Sequence, residues 1–333
     1  MLNKKKIVVS GIRPTGKMHL GNYHGAVKNW VKLQDEYDCY FFIADLHALT
    51  THYSKTIHIK QDTQKLLEDL LTVGLNPKSC KIFIQSHIRE HIELSFLLST
   101  ITPVSWLERV PTYKDQQKKL QELDLSTYGF LGYPVLQTAD VLLYGAEFVP
   151  VGEDQTSHIE LTREIARRFN YIFSPNKQVL SEPQVLLSNS PKLIGTDGQK
   201  MSKSYNNTIT IAEDAKSIEK KIKTMPTDPA RIKRNDCGNP DRCPVWQLHK
   251  IYSNKKVQSW VDNGCKTAAI GCIDCKTALL DFIEQEQKPF REQAEIYKNN
   301  TNLINNYLKE NTEQASILAK KTLLDVKNAM SII

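Results

Sequence analysis

The architecture of this chain is set by its early stretch Ile7-Val8-Val9-Ser10-Gly11-Ile12-Arg13-Pro14-Thr15-Gly16-Lys17-Met18-His19-Leu20-Gly21-Asn22. The apolar run at its start predicts a buried strand, and the apolar residues Ala26, Val27, Trp30 and Val31 that follow it have helical spacing. Glycines between the strand and the helix let the backbone approach an anion closely, and the free N–H groups of a helix N-terminus favour binding it. The stretch therefore predicts a strand, a turn and a helix that bind phosphate.

Predicted strands and helices alternate along the first half of the chain. Beyond the early stretch, short apolar runs predict strands at 39–44, 81–84 and 148–151, and apolar periodicity predicts helices at 57–73, where Gly74 ends the helix, and at about 155–169. Strands separated by helices indicate an α/β fold with a doubly wound parallel sheet of the Rossmann type. In such a sheet ligands bind at the carboxyl ends of the strands, where the turn at 11–22 lies.

The second half of the chain has a different pattern. Regular alternation is lost between about 88 and 135, which predicts an insertion between the two halves of the sheet. After Ser204 only 208–211 could be a strand, and the rest is predicted to be helical, with an apolar stripe over 303–326. Since 333 residues are more than one core usually fills, we expect one domain at 1–195 that contains the sheet and, at 196–333, a flexible loop and an α-helical region whose last helix could pack back on the first domain.

A second motif, Lys200-Met201-Ser202-Lys203-Ser204, places two ammonium groups on a stretch that Gly195 and Gly198 make flexible. Mobile cations suit a polyphosphate that leaves during a reaction. Each motif alone is ambiguous, because glycine-rich turns occur in many nucleotide-binding folds and Lys-Ser-rich loops are most often solvated surface.

Together the two motifs resemble the His-Ile-Gly-His and Lys-Met-Ser-Lys-Ser signatures of the class I aminoacyl-tRNA synthetases. The segment His19-Leu20-Gly21-Asn22 has Asn in place of the second His, and an Asn can also donate to a phosphate oxygen. The segments 133–140 and 149–163 resemble the bacterial tryptophanyl branch of that family, and the resemblance covers nearly the whole chain.

This resemblance implies a reaction and a set of residues. ATP would activate L-tryptophan to an adenylate, with Mg²⁺ accompanying the ATP, and the tryptophanyl group would then pass to tRNA(Trp). The residues implied in catalysis are Thr15, His19, Asn22, Lys200 and Lys203. The residues implied in ATP binding are Arg13, Pro14, Thr15, Gly21, Asn22, Gly152, Glu153, Asp154, Leu193, Ile194, Lys200, Met201, Ser202, Lys203 and Ser204. The residues implied in tryptophan binding are Ser10, His47, Tyr133, Gln137, Asp140 and Gln155.

Asp140 carries the specificity in this interpretation. It stands in a mainly apolar helical stretch, where a carboxylate is costly unless a ligand or a partner satisfies it. A neighbouring Arg or Tyr could be that partner, whereas the resemblance implies the indole N–H of tryptophan. His47 could likewise be an interior histidine satisfied by the fold, and Gln137 departs from the Met of other family members, which leaves the shape of the indole pocket open.

The chain has seven cysteines, and they are distributed unevenly. Cys39 and Cys80 lie in or beside predicted core strands and are expected to be inert. Four others have the spacing Cys243-x21-Cys265-x6-Cys272-x2-Cys275, which in an intracellular protein indicates a metal more than disulfides. Four thiolates suit zinc or a [4Fe-4S] cluster. Resemblance to a subset of bacterial tryptophanyl enzymes favours the cluster, with zinc or no metal as alternatives and Cys237 as an alternative ligand.

Composition is that of a soluble globular protein, with 40% apolar and 24% charged residues. No signal peptide or membrane span is evident, so we expect a cytoplasmic location and no membrane partner. A net charge of +7 favours a polyanionic partner, and the basic region 216–234 and the cysteine-bearing segment are candidates for anticodon-side contact with tRNA. The resemblance implies that 1–195 is the catalytic domain and that 196–333 contains the signature loop and the anticodon-binding region. The resemblance also implies a homodimer with the 88–135 insertion near the interface.

Three other functions are compatible with parts of the pattern. They are a tyrosyl-tRNA synthetase with the same fold and signatures, an RNA-binding paralogue that has lost catalysis, and a shorter nucleotidyltransferase with a similar His-containing turn. Pyrophosphate exchange with each aromatic amino acid separates all of them.

Overall fold

Five strands form one parallel sheet in the computed structural model of the protein, which describes residues 5–54, 56–111, 126–152, 155–187 and 191–333. The strands are β1 (Ile7–Ile12), β2 (Asp38–Ile43), β3 (Lys81–Ile84), β4 (Phe148–Val151) and β5 (Gln184–Leu187). Their order across the sheet is β3-β2-β1-β4-β5, and every neighbouring pair is parallel. This order reverses direction between β1 and β4, which is where a doubly wound sheet opens a crevice for ligands.

Helices make up most of the remaining described chain. In chain order they are α1 (Leu20–Asn22), α2 (Lys28–Glu36), α3 (Asp45–His52), α4 (Ile57–Thr72), α5 (Glu90–Ser99), α6 (Val104–Glu108), α7 (Tyr128–Leu142), α8 (Thr156–Phe173), α9 (Ala215–Thr224), α10 (Pro244–Tyr252), α11 (Lys255–Lys266), α12 (Cys272–Lys298) and α13 (Thr301–Ala329). A π-helical turn, Tyr23–Val27, joins α1 to α2. No helix among the described residues combines the length and the apolar character needed to span a bilayer.

The sequence predicted four of the five strands. The strands β1 to β4 lie where the apolar runs placed them, and the Rossmann-type parallel sheet is confirmed. The edge strand β5 was missed because its side chains are at most half-buried, so it has no continuous apolar run. The strand suggested at 208–211 was wrong, since that segment makes only an isolated bridge, between Thr210 and His19.

The predicted helices are confirmed with small changes at their ends. The helix α4 ends at Thr72, and Gly74 follows with a φ of 103°, a left-handed conformation that glycine adopts at little cost. The helix α8 extends four residues beyond the predicted end, to Phe173. Within 88–135 the described residues form α5, α6 and the start of α7, and 112–125 lie outside the described residues.

The chain divides into two units, the first made of 1–16, 30–189 and 300–333 and the second of 17–29 and 190–299. In the first unit, a core of buried residues joins the strands to α5, α7, α8 and α13, with Phe83, Leu98, Leu142, Phe169 and Leu323 among its members. The functional domain limits at 195 and 196 stay a prediction.

The second unit contains α1 and α9 to α12. A small cluster of Trp246, Val261 and Ile270 packs α10 and α11 against the start of α12. Along α12 the buried residues Leu279, Ile283 and Phe290 recur at helical spacing, as expected for a helix with one apolar face.

Candidate active site

The turn at His19 and Asn22, in the second unit, is held by reciprocal capping. His19 Nδ1 accepts the backbone N–H of Asn22 at 3.3 Å, and Asn22 Oδ1 accepts the backbone N–H of His19 at 3.3 Å. This arrangement is a capping box made with His and Asn. Because Nδ1 is the acceptor, a neutral His19 carries its hydrogen on Nε2, which can donate to a ligand.

His19 is neutral at physiological pH. Burial, and then the charges of Lys203 and Lys200, lower the pKa of its imidazole to about 4. The side chain therefore acts as a hydrogen-bond donor, and the positive charge of this region comes from the two lysines.

The Lys-Met-Ser-Lys-Ser loop lies against that turn within the second unit. Gly21 N–H points to Met201 Sδ at 3.3 Å, and Met201 is only 4% exposed. Backbone bonds from Leu20 N–H to the Ile209 carbonyl (2.9 Å) and from Ile211 N–H to the Met18 carbonyl (3.0 Å) fix the segment that follows the loop. The fold thus brings the two sequence motifs together although they are far apart in the chain.

The loop itself is braced by backbone and amide contacts. Met201 N–H donates to the carbonyl of the buried Leu193 at 3.0 Å, and Ile194 forms an isolated bridge with Lys200. Ser202 N–H donates to Asn207 Oδ1 at 2.8 Å. Lys200 and Ser204 are exposed, which leaves the loop's polar end accessible to a ligand.

Predicted residues of the first unit gather at the carboxyl ends of the strands. Ser10 lies on β1, and Arg13, Pro14 and Thr15 follow that strand. His47 lies on α3 directly after β2, and Gly152 and Gln155 follow β4. Glu153 and Asp154 lie outside the described residues.

Asp140 is almost completely buried at this edge, with 1% of its surface exposed. Its Oδ1 accepts from Gln85 Nε2 at 2.7 Å and from His91 Nδ1 at 2.6 Å. Its Oδ2 accepts from His47 Nε2 at 2.8 Å. Behind it, the Tyr144 hydroxyl lies 2.7 Å from His91 Nε2, and burial raises the pKa of that hydroxyl well above its usual value.

These donors keep Asp140 ionised. Burial alone would raise its pKa, but the hydrogen bonds and charges of His47 and His91 outweigh burial and lower the pKa to about 2. A carboxylate has about four acceptor sites, and three are used here. Since these are its donors among the described residues, one site on Oδ2 is left for a further N–H donor.

Tyr133 and Gln137 stand on the same helix as Asp140, α7. The hydroxyl of Tyr133, which is buried, lies 3.1 Å from His158 Nε2. Gln137 is half-buried one helical turn before Asp140, so its side chain lies on the same side of α7 as the carboxylate.

Residues 1–288 match the family model described as "tRNA synthetases class I (W and Y)". The chain belongs to this family. A matched stretch of that length contains both signature motifs, Asp140 and the four clustered cysteines.

The similar curated proteins are tryptophan–tRNA ligases by name. The chain is 49% identical to a tryptophan–tRNA ligase of Thermotoga maritima, over 98% of this chain and 99% of that protein. It is 45% identical to one of Ralstonia nicotianae, over 98% of each. Among solved structures it resembles the tryptophanyl-tRNA synthetase of Campylobacter jejuni complexed with ADP and tryptophan, with a TM-score of 0.86, 29% identity and coverage of 98% and 99% of the two chains.

The sequence did not predict three residues of this synthetase that support Asp140, directly or through a neighbour. Gln85 directly follows β3, so the rule that ligands bind at the carboxyl ends of parallel strands could have found it. His91 and Tyr144 gave no such signal, because His91 lies in the region interpreted as an insertion and Tyr144 in an apolar run.

The four spaced cysteines are brought together in the second unit. Cys243, Cys265, Cys272 and Cys275 line one pocket with Arg231, whereas Cys237 is exposed and does not line it. All are free thiols, and burial, reinforced by the three other thiols, raises the pKa of Cys275 to about 12. Among the described residues no group of three or more His, Cys, Asp or Glu side chains has the geometry to hold a metal ion.

Proposed function

We propose that this chain is a tryptophan–tRNA ligase: it activates L-tryptophan with ATP and transfers the tryptophanyl group to tRNA(Trp). The observation that carries the proposal is the Asp140 carboxylate, buried, ionised and with one acceptor site left at the carboxyl edge of the sheet. The curated relatives carry the same activity in their names.

Tryptophan is selected by its indole N–H. That group would donate to the remaining site on Asp140 Oδ2, with Ser10, His47, Tyr133, Gln137 and Gln155 around the amino acid. Phenylalanine has no such donor, and a buried acceptor left without a partner is penalised in the complex. Sites built on such a bond discriminate by about 10⁴ to 10⁵.

Adenylate formation needs no general base. The tryptophan carboxylate is already an anion, so the enzyme contributes alignment and neutralisation of the charge that develops on the phosphates. His19 Nε2–H and the Asn22 amide donate to the α-phosphate, with Thr15, while Lys200 and Lys203 bind the β- and γ-phosphates and the pyrophosphate that leaves. Arg13, Pro14, Gly152, Glu153, Asp154, Leu193 and Ile194 border the nucleotide, and Mg²⁺ enters as part of the ATP substrate.

One experiment tests the activity and its specificity. We expect pyrophosphate exchange with ATP to depend on tryptophan and to be negligible with tyrosine or phenylalanine. Asp140→Asn should lose most of the tryptophan-dependent exchange, because an amide presents one acceptor oxygen where the carboxylate presents two. Exchange with tyrosine would identify a tyrosyl enzyme, and no exchange with any aromatic amino acid would identify a paralogue that has lost catalysis.

Transfer to tRNA needs a basic surface, and part of the 216–234 region provides one. Lys216, Lys220, Lys223, Lys233 and Arg234 are exposed. Two other cations of this region serve the fold: Lys221 pairs with Glu213 at 2.6 Å, and Arg231 is only 9% exposed. Replacing Lys216 and Lys220 with Ala should weaken aminoacylation and its salt dependence while leaving pyrophosphate exchange unchanged.

The four-cysteine pocket is assigned to a [4Fe-4S] cluster. Its four thiols surround a single space that Arg231 also lines, and the buried Nε of Arg231 has no hydrogen-bond partner in the described part of the chain. Such a donor is suited to face an anionic group. The buried Lys276 adds a second positive charge next to the thiols.

Anaerobic purification tests the cluster. We expect visible absorbance with about equal amounts of iron and sulfide, lost in Cys275→Ser and kept in Cys237→Ser. A colourless protein containing zinc would identify a zinc site, and a colourless protein without metal would show that the pocket binds neither.

A homodimer is supported by apolar side chains near the predicted insertion. Ile92, Phe96, Val104 and Tyr128 are between 55% and 77% exposed, on α5, α6 and the start of α7. The helix α7 packs against both α5 and α6, and exposed apolar side chains in one region often mark a protein interface. Light scattering should give a dimer mass for the unmodified chain and a monomer mass for Phe96→Glu.

A further inference from the structure

A carboxylate of the second unit contacts the residues that follow the signature turn, His19–Asn22. Glu286, on α12, lies 2.9 Å from His24 Nε2 through Oε2 and 3.0 Å from Lys28 Nζ through Oε1. The Tyr252 hydroxyl donates to Oε2 at 3.0 Å. The side chain of Glu286 is only 15% exposed, so these bonds form largely away from water.

The partners of Glu286 belong to the structure that follows the signature turn. His24 stands two residues after Asn22, in the π-helical turn, and is 6% exposed. Lys28 begins α2 at the end of that turn. Single π-helical turns inside a helix occur often at functional sites. Glu286 holds this one through His24, which lies inside the turn, and through Lys28, which directly follows it.

The signature turn itself is held by the Lys-Met-Ser-Lys-Ser loop and the segment after it. Leu20 N–H donates to the Ile209 carbonyl at 2.9 Å, and Gly21 N–H points to Met201 Sδ at 3.3 Å. The loop and the 207–211 segment therefore hold the turn directly, and Glu286 holds the residues that follow it. Removing either support leaves His19 and Asn22 attached to a helix that can shift.

Helix α12 is itself anchored to the segment that fixes His19. Arg291 Nη1 donates to the Glu213 carbonyl at 3.0 Å, and the Glu213 carboxylate accepts the Thr210 N–H at 2.8 Å. Thr210 forms the isolated bridge with His19. At the other end of α12, Lys276 Nζ donates to the carbonyls of Lys223 (2.8 Å) and Met225 (2.6 Å). Glu286 thus stands on a rigid element whose contacts lead back to the same turn.

Charge is required at this position. Burial would raise the pKa of Glu286, but the hydrogen bond and charge of His24 and the charge of Lys28 outweigh burial and lower the pKa. Two oxygens accept three donors, which only the carboxylate can do. In Glu286→Gln the amide nitrogen would face a donor on one side, so either Lys28 or His24 would lose its partner.

We propose that Glu286 is a positioning residue for ATP activation: by holding His24 and Lys28 it fixes the helix start that presents His19 and Asn22 to the phosphates. The proposal rests on the proposed function for the identity of the reaction. Catalytic groups must be placed within about 0.5 Å, and a displacement of about 1 Å can cost about 100-fold in rate.

Steady-state pyrophosphate exchange and equilibrium binding test the proposal on the full chain. In Glu286→Gln we expect kcat/KM for ATP to fall at least about tenfold, with the tryptophan Kd unchanged within about twofold, because the tryptophan residues belong to the first unit. Glu292→Gln is the matched control, since Glu292 is an exposed carboxylate on the same helix. Unchanged ATP kinetics in Glu286→Gln would overturn the proposal, and so would an equal loss of tryptophan and ATP binding.

A double-mutant cycle tests the route through His24. His24→Gln and Glu286→Gln should each reduce kcat/KM for ATP, and the double variant should be no worse than the more damaged single variant. Additive losses would show that Glu286 does not act through His24. If Glu286→Gln does not fold, Lys28→Met, whose side chain is 42% exposed, should give a smaller loss of the same kind, and no loss would contradict the proposal.

The experiments distinguish an incorrect role for Glu286 from an incorrect proposed function. Binding of ATP alone, followed calorimetrically, should weaken in Glu286→Gln whatever amino acid the enzyme activates. Normal ATP binding in that variant together with tryptophan-dependent exchange in the unmodified chain would overturn the role of Glu286 only.

Discussion

Asp140 shows how a single side chain can be both a specificity element and a source of stability. Its burial would be prohibitive for an unpaired charge, and it is tolerated because Gln85, His91 and His47 donate to it. The same three donors leave a single acceptor site, so the network that stabilises the carboxylate also defines the direction from which an N–H can approach it. Stability and recognition therefore depend on the same atoms.

The lowered pKa of Asp140 makes a prediction for acid stability. A depressed pKa contributes stability that is complete above the unfolded value of about 3.9 and is lost as the pH falls through about 2. As the pH falls through this range, we expect the free energy of unfolding to decrease by about 2 kcal/mol less in Asp140→Asn than in the unmodified chain. Urea unfolding at a series of pH values measures this. Asp325→Asn, which removes an exposed carboxylate of the same unit, is the control. Equal slopes for Asp140→Asn and the unmodified chain would show that the carboxylate is not held ionised.

Lys203 has a narrower predicted role than general nucleotide binding. Lys203→Ala should reduce adenylate formation by about 100-fold, because it removes a charge that stabilises the phosphates as pyrophosphate leaves. Tryptophan binding should be unaffected. Pyrophosphate exchange and tryptophan fluorescence titration measure the two quantities, with the exposed Lys255→Ala as control. An unchanged exchange rate would refute the assignment.

At the scale of elements, the signature turn requires a glycine at position 21, because the side chains of His19 and Met201 lie close to its backbone. A Cβ on Gly21 would lie 2.9 Å from both Cε1 and Nδ1 of His19 and 3.4 Å from Met201 Cβ. The imidazole and the loop therefore leave no room for a side chain there. Gly25, in the π-helical turn that follows, has nothing within 4 Å of the same position.

These two glycines form a matched pair for mutation. Gly21→Ala should lower pyrophosphate exchange at least about tenfold, because the new methyl group displaces His19 from its capping position. Gly25→Ala should keep activity and could raise stability slightly, since Ala costs less backbone entropy in a helical segment. Exchange assays and thermal unfolding of both variants provide the comparison. Equal activity in the two would mean that the His19 position is not critical.

At the scale of the whole molecule, the last helix completes the sheet of the first unit. Asn311 on α13 is 2% exposed, and its Oδ1 accepts the N–H of Ile82 at 2.7 Å while its Nδ2 donates to the Pro77 carbonyl at 3.0 Å. The strand β3 is at an edge of the sheet, where unpaired backbone groups are a liability. A side-chain amide from the far end of the chain takes the place of a neighbouring strand.

Asn311→Ala should therefore destabilise the protein. It leaves a buried N–H of an edge strand without a partner, which costs about 1 to 3 kcal/mol. Asn305→Ala, at an exposed position of the same helix, should have little effect. Urea unfolding measures both. A loss in Asn311→Ala no larger than in the control would mean that water or another group satisfies the strand edge.

Sequence by itself determined the elements and the chemistry that short segments carry. Strands β1 to β4 and the helices could be predicted because buried parallel strands are continuous apolar runs and helices have apolar residues at a fixed period. The signature motifs and the family could be found for a similar reason, since each motif is a contiguous segment. The half-buried edge strand β5 escaped because it lacks an apolar run.

Tertiary structure decided which distant residues meet. The three donors around Asp140, the contact of Met201 with Gly21 and the bonds of Glu286 to His24 and Lys28 join residues far apart in the chain. No local pattern encodes such pairs, because side-chain partners are chosen by packing in three dimensions. The donor count that leaves Asp140 one acceptor site could only be read from the folded chain.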